Sequence, residues 1–255
     1  MIQEQTDVNI QPQIHICDVE DGWLADDFNF ESAMRLLSLE EQIQVLRKRS
    51  KKLQRMALGN RLLQLHGCSS ILGVKPEDLE FSRGSFGKPM VKGMEFSMSN
   101  GERHCVMGIH YKPVGVDIAS TTDCNGMSSD YVAEFRDIFT DSEFRWLSDS
   151  THRDVLFSLL WSMKEAYMKL IGTGLNTDIQ AIDVGSVPVY LAQQEVVTTQ
   201  RTINGELITF SSRWITDTEV VSTAERTTAA QCGIENYRIV RLTPQSIVDA
   251  LLATH

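Results

Sequence analysis

The chain has 255 residues, 42% of them hydrophobic and 23% charged, with a net charge of −10. That composition fits a globular protein of one large domain or two small ones, and it excludes fibrous, linker-rich and low-complexity chains. The acidity opposes general nucleic-acid affinity, and no apolar run nears the ~20 residues needed to span a bilayer. Met1 to Gln13 contains acids and no basic residue, so it reads as neither a secretory signal nor an Arg-rich transit peptide. Five scattered cysteines (Cys17, Cys68, Cys105, Cys124 and Cys232) form no C-x-x-C and are odd in number. They read as reduced thiols, which points to the cytoplasm. The six histidines lack metal-ligand spacing, and packing or surface roles are the default for each.

Residues 1–30 read as a lead-in with one or two short strands, for example Ile14 to Cys17. Ser38-Leu39-Glu40-Glu41 has the form of a capping box and predicts a helix running to about Ser50. A second helix is predicted over about 51–66, with Leu53, Met56, Ala57, Leu62, Leu63 and Leu65 buried and Gly67 as its stop. Short strands follow at Leu79 to Ser82, Glu95 to Met98 and Cys105 to His110. Asn100-Gly101 between the last two is a hairpin signal. Val114-Gly115-Val116-Asp117-Ile118 reads as a buried strand ending in a carboxylate.

Tyr131 to Phe139 and Asp141 to Leu147 have helical character. Thr151 to Ile171 is the clearest helix, because Val155, Leu156, Leu159, Leu160, Met163, Tyr167 and Leu170 recur with a period near 3.6 and Gly172 and Gly174 follow. Residues 180–241 alternate Val, Ile, Thr and aromatics with turn residues, which predicts strands. Thr243 to Leu252 then predicts a closing helix capped by Thr243, with Pro244 in its first position. A helical stretch followed by strands thus occurs twice. The expected fold class is α+β, as two similar lobes over residues 1–114 and 115–255.

Charge is spread unevenly. No Asp or Glu occurs from Gln42 to Pro76, a stretch holding Arg47, Lys48, Arg49, Lys51, Lys52, Arg55 and Arg61. On an acidic protein such an island suits a compact polyanionic ligand; the plain alternative is a solvated basic helix face. On the long helix Trp161, Glu165 and Lys169 fall at i, i+4 and i+8 on one face, with Lys164 beside them. Alone, Glu165 and Lys169 make an ordinary surface ion pair, worth ~0.3–0.5 kcal/mol. Asp117 alters that reading, because a carboxylate on a buried strand is costly unless Lys, Arg or a metal pairs with it. Asp117 and Glu165 together suit a hard divalent cation, which commonly takes one or two carboxylates with phosphate oxygens and water. With the island binding further phosphates, these parts suit a phosphoryl-type transfer from a nucleotide-like donor and leave the acceptor open.

Four elements occur in a fixed order: Gly87-Lys88-Pro89, Phe96-Ser97-Met98-Ser99, Gly115-Val116-Asp117-Ile118, and the run from Trp161 to Leu175 that reads W-x-x-K-E-A-x-x-K-x-x-G-x-G-L. Together they resemble the signatures of the Sfp-type 4′-phosphopantetheinyl transferases, over about residues 36–185. The last element is highly specific. The resemblance implies a pseudo-dimer of two α+β lobes, with the active site and coenzyme A between them. It implies Asp117 and Glu165 as ligands of Mg²⁺ (or Mn²⁺), Glu165 as the general base, and Lys169 steadying the phosphates or leaving group. Lys88, Ser99, Asn100, Arg47 and Arg55 would bind coenzyme A. The acceptor would be a serine of an acyl-, peptidyl- or aminoadipate-reductase carrier domain, and the protein would act as a monomer.

Two positions depart from the family pattern. Asn100 follows Ser99 where a histidine is usual, and Ala119 stands where bacterial members often have a further Glu. The second departure resembles the eukaryotic members that activate aminoadipate reductase. Other readings are a non-catalytic coenzyme A sensor, a nucleic-acid module on residues 47–61, and a purely structural protein. Net acidity and the lack of stacking aromatics near the island oppose the second, and the four ordered elements oppose the third. The aromatic helix of residues 131–147 holds Phe135, Ile138, Phe139, Phe144 and Trp146, candidates for docking a carrier that are expected mostly in the core.

Overall fold

A computed structural model describes residues 10–125, 127–128, 131–187, 196–227 and 233–253. In chain order its elements are β1 (Gln13–Asp18), α1 (Asp27–Met34), α2 (Leu39–Leu46), α3 (Lys51–Leu72), β2 (Phe81–Arg83), β3 (Pro89–Val91), β4 (Glu95–Asn100), β5 (His104–His110) and β6 (Val114–Ser120). They continue with α4 (Tyr131–Glu134), α5 (Asp141–Asp149), α6 (Arg153–Ile171), β7 (Val196–Ile203), β8 (Glu206–Trp214), β9 (Glu219–Arg226), β10 (Arg238–Leu242) and α7 (Pro244–Ala253). One four-stranded sheet has the order β10-β1-β5-β4, the other β6-β9-β8-β7, and β2 pairs with β3 in a separate hairpin. The expected α+β class with two sheet-containing lobes is what the chain adopts.

The layers follow from the period-2 alternation of each strand. In the first sheet Cys17, Cys105, Met107 and Ile109 face α3 and α7, in a core that includes Leu58, Leu62, Leu63, Ile247 and Leu251. In the second sheet Ala119, Ile208, Phe210, Val220 and Ala224 face α6, packing on Leu159, Leu160, Met163 and Tyr167. The opposite faces meet each other through Ile14, Ile16, Val106, Val114, Val116, Ile118 and Val221. The order is therefore helix, sheet, sheet, helix. Two buried pairs also span the sheet–sheet layer. His104 Nδ1 lies 2.5 Å from Glu219 Oε2, and His110 Nε2 lies 3.7 Å from Glu225 Oε2.

Several boundaries differ from the sequence expectation for identifiable reasons. Ser38 and Glu41 do form the capping box, but α2 ends at Leu46. Gly67 does not stop α3, which continues to Leu72 and ends at the left-handed Gly73. A β-carbon at Gly67 would lie 2.6 Å from Met107 Sδ, so this glycine serves close helix–sheet approach and not termination. Leu53, expected to be buried, is 50% exposed. The stretch Tyr131–Phe139 divides into α4 and a short 3₁₀ turn over Arg136–Ile138. In the predicted strand region the described strands begin at Val196, while residues 188–195 and 228–232 lie outside the described residues, Cys232 among them.

The division at residue 114 meets one departure. β10 pairs in parallel with β1, from Gln13↔Arg238 to Cys17↔Leu242, and α7 packs on the first core. Residues 238–253 thus complete the first lobe, although the boundary read from sequence assigned them to the second.

Candidate active site

β6 is an edge strand, and its neighbour across the lobe junction, β4, is the edge of the other sheet. Neither edge is left bare. The Val116 N–H donates to Ser97 Oγ at 3.0 Å, and the Val114 carbonyl accepts from Lys88 Nζ at 3.2 Å. On its inner side β6 lies against α6, and Gly115 makes this contact close. A β-carbon there would sit 1.7 Å from the Ala166 carbonyl oxygen, so only glycine fits. The G-V-D element is thereby explained: the glycine brings the strand onto the helix that carries Glu165 and Lys169.

Asp117 falls in the middle of β6, not at its end, and is 5% exposed. The partner its burial demands is Lys169, whose Nζ donates to Asp117 Oδ1 at 2.6 Å. Ser99 Oγ donates to the same oxygen at 2.7 Å. Lys169 therefore does not form the expected i, i+4 pair with Glu165. Among the described residues Glu165 makes no hydrogen bond or ion pair. Burial, and then the nearby Asp117 carboxylate, push its carboxyl above the usual range, with Lys169 opposing them.

The neighbouring Lys164 has a different place. Its side chain is fully buried; Nζ lies 2.8 Å from Glu143 Oε2 and donates to the Ile182 carbonyl at 2.6 Å. Glu143 in turn accepts from the Val184 N–H at 3.0 Å and caps α5. Consecutive residues of the K-E pair thus have separate surroundings, Lys164 in the core and Glu165 beside Asp117 and Lys169.

Two cavities adjoin this cluster and share Met98. A polar one of about 570 Å³ is lined by Arg47, Lys48, Arg61 and Arg83 together with Asn60 and Gln64. A smaller one of about 230 Å³ lies between the lobes and is lined by Phe86, Lys88, Pro89, Met168, Lys169 and Gly172. Arg47 and Lys48 are exposed and form no ion pair among the described residues, whereas Arg61 is paired with Glu41 at 2.5 Å. Arg55 does not line the cavity; its guanidinium is held by Glu20 in a bidentate pair at 2.8–3.1 Å. Asn100 reaches the cavity wall indirectly, its Oδ1 accepting from Asn60 Nδ2 at 2.9 Å.

The structure therefore brings together Asp117, Glu165, Lys169, Ser99 and Lys88, with Arg47 in the adjoining cavity, and leaves Arg55 outside. Sequence reasoning gave no role to Ser97 or Arg83, and gave Arg61 one only as part of the basic island. Arg61 belonged to the basic island and Ser97 to a quoted element, so both were marked; Arg83 carried no signal beyond its place before Gly84. Of the candidates for carrier docking, Phe139 is fully buried, and Phe135, Ile138, Phe144 and Trp146 are partly buried against the second core.

Residues 113–231 match the model of the 4′-phosphopantetheinyl transferase superfamily, and residues 21–107 match that of the 4′-phosphopantetheinyl transferase N-terminal region. An L-aminoadipate-semialdehyde dehydrogenase-phosphopantetheinyl transferase of Saccharomyces cerevisiae is 32% identical over 246 residues, covering 92% of this chain and 89% of the yeast protein. The chain belongs to the 4′-phosphopantetheinyl transferase family. It is an enzyme of that class. The equivalent protein of Candida glabrata is 36% identical over 214 residues, 80% of each chain. The 4′-phosphopantetheinyl transferase Sfp of Bacillus subtilis is 29% identical over 112 residues, 42% of this chain and 47% of its own.

Transferases of this family generally need a divalent metal, and the donor set here suits one. Asp117 and Glu165 offer carboxylate oxygens only, with no soft ligand, which fits a hard cation. Among the described residues no three His, Cys, Asp or Glu side chains converge as a metal centre. The remaining coordination would fall to phosphate oxygens and water, as is usual for Mg²⁺. No helix among the described residues is long and apolar enough to cross a membrane.

Proposed function

We propose that the protein transfers 4′-phosphopantetheine from coenzyme A to a serine of a carrier domain and releases adenosine 3′,5′-bisphosphate. The observation that carries this reading is the meeting of Asp117 with Glu165 and Lys169 at the junction of the two lobes, where Lys169 lines a pocket that shares Met98 with the basic cavity of the first lobe. The cationic cavity suits the phosphorylated nucleotide end of coenzyme A. The apolar pocket that shares Met98 with it, and that includes Lys169, suits an uncharged part of the same molecule.

Asp117 and Glu165 would hold Mg²⁺, with Mn²⁺ as the alternative. When bound, the ion supplies positive charge at the pyrophosphate. Glu165, which makes no hydrogen bond or ion pair among the described residues, accepts the proton of the acceptor serine directly or through water. The serine oxygen forms a bond to the β-phosphorus, and the bond from that phosphorus to the bridging oxygen breaks. The electron pair leaves with adenosine 3′,5′-bisphosphate. Lys169 keeps Asp117 in place and adds a cation where leaving-group charge develops. The lobe junction aligns donor and acceptor, which supplies much of the acceleration in phosphoryl transfers.

The acceptor we favour is the carrier domain of an L-aminoadipate-semialdehyde dehydrogenase, a lysine-pathway enzyme. Support comes from the names of the Saccharomyces and Candida relatives and from Ala119, which leaves this site with two acids. A single chain contains both lobes, so we propose a monomer working in the cytoplasm. The test is intact-mass analysis of that apo-carrier, and of an acyl carrier protein, after incubation with the protein, coenzyme A and Mg²⁺. A phosphopantetheine mass gain is expected with wild type and not with Glu165→Gln. Binding of coenzyme A without any mass gain would instead identify a sensor.

A further inference from the structure

β4 carries Ser97 and Ser99 two residues apart, so both hydroxyls lie on one face, while Phe96 and Met98 pack into the first core. The hydroxyl-bearing face meets the edge of β6. Ser97 Oγ accepts the Val116 N–H at 3.0 Å. An edge amide buried without a partner is costly, so this bond resists any shift of β6 along β4. Two residues further along β4 and one along β6, Ser99 Oγ contacts Asp117 Oδ1 at 2.7 Å. An ionised carboxylate only accepts, so the serine must be the donor. Lys169 reaches the same Oδ1 from α6 at 2.6 Å. Two donors from two lobes thus fix one oxygen, and Oδ2 takes no partner among the described residues.

We infer that Ser99 is a positioning residue: registered by Ser97, its hydroxyl holds Oδ1 of Asp117 and leaves Oδ2 to ligate the divalent cation. This rests on the metal site proposed above, and it differs from the contact to coenzyme A that family resemblance implies for Ser99. A hydrogen bond from the first lobe orients a ligand carried by the second. The metal site is therefore correctly formed only when the two lobes are in register, although its carboxylates both come from the second lobe.

Mn²⁺ binding, read from loss of the free-ion EPR signal with coenzyme A present, tests this without turnover. Calorimetric titration of coenzyme A in EDTA gives the donor affinity alone. Groups that orient metal ligands typically account for 10–100-fold in metal affinity. Ser99→Ala is accordingly expected to weaken Mn²⁺ about tenfold or more and to leave coenzyme A binding in EDTA unchanged. Ser99→Thr, which keeps the hydroxyl, should restore Mn²⁺ affinity. Weakened coenzyme A binding in EDTA with Mn²⁺ affinity intact would overturn the inference in favour of a donor contact. Equal Mn²⁺ affinity in wild type and Ser99→Ala, or equal loss in the Ala and Thr variants, would overturn it while leaving the transferase reading standing. If wild type itself bound no stoichiometric Mn²⁺, the metal site would fail and the inference with it.

Discussion

The ammonium of Lys88 donates to the backbone carbonyl of Lys169 at 2.9 Å, and the ammonium of Lys169 donates to Asp117 at 2.6 Å. The first residue stands just before β3, the second on α6, the third on β6. A short chain of contacts thus runs from the small hairpin of the first lobe into the Asp117 carboxylate of the second.

That chain gives Lys88 a bracing role, since its ammonium is already engaged by the Lys169 and Val114 carbonyls. Lys88→Met keeps the aliphatic stem and removes the donor. Losing charged hydrogen bonds to these carbonyls should cost about 2 kcal/mol of stability. Slight displacement of reacting groups lowers turnover steeply, so kcat should fall on the order of tenfold with KM for coenzyme A little altered. Steady-state kinetics with a saturating carrier separate this from loss of a nucleotide contact, which would raise KM.

The Lys164–Glu143 pair is shut away from water, with side chains 0% and 1% exposed. Removing one partner strands a charge, so Lys164→Met should destabilise the protein by about 3–5 kcal/mol in urea unfolding. Adding Glu143→Gln should recover part of that loss. The amide removes the stranded charge and keeps an acceptor oxygen for the Val184 N–H.

Arg47 and Arg55 are close in sequence and should separate in kinetics. Arg47 lines the basic cavity and forms no ion pair among the described residues, whereas Arg55 is tied to Glu20. Arg47→Ala is expected to raise KM for coenzyme A several-fold with kcat held, the sign of lost uniform binding. Arg55→Ala should leave that KM unchanged and lower the unfolding free energy from urea titration by about 1 kcal/mol or less, the scale of a partly exposed pair.

His15 and His110 should shape the acid side of the stability curve. Burial, reinforced by His66 and Arg238 for His15 and by Lys112 for His110, lowers each to about 4 from an ordinary value near 6.5. Between those values the unfolded chain binds protons that the folded protein refuses, so stability falls as pH falls. The contribution is complete above pH ~6.5 and is lost toward pH ~4, at up to about 1.4 kcal/mol per pH unit for each histidine. Urea titrations at pH 7 and pH 5 should show a smaller drop for His110→Gln than for wild type.

What the sequence disclosed was governed by local rules. α6 was legible because its apolar residues keep helical period up to a left-handed Gly172, and the α2 cap because Ser38 and Glu41 make both reciprocal bonds. The convergence of Asp117 with the Glu165–Lys169 face was legible only through ordered motifs, as nothing near Asp117 in sequence supplies its partners. Gly67 misled because two reasons for glycine, ending a helix and admitting a neighbour, leave the same letter. Arg55 misled because its partner Glu20 lies in the lead-in, 35 residues away. The parallel pairing of β10 with β1 had no local signal at all, since such a strand pair is set by packing across the whole chain.

That pairing has a consequence for biosynthesis. The first core lacks Ile247, Val248 and Leu251, and β1 lacks one neighbour, until residues 238–253 have left the ribosome. Translation therefore yields, until then, a nascent chain whose leading half is still unsealed along one strand. Completion of that half must wait for β10 and α7 to emerge, and a stop codon shortly before β10 would produce a substrate for chaperones and proteases in place of a stable fragment.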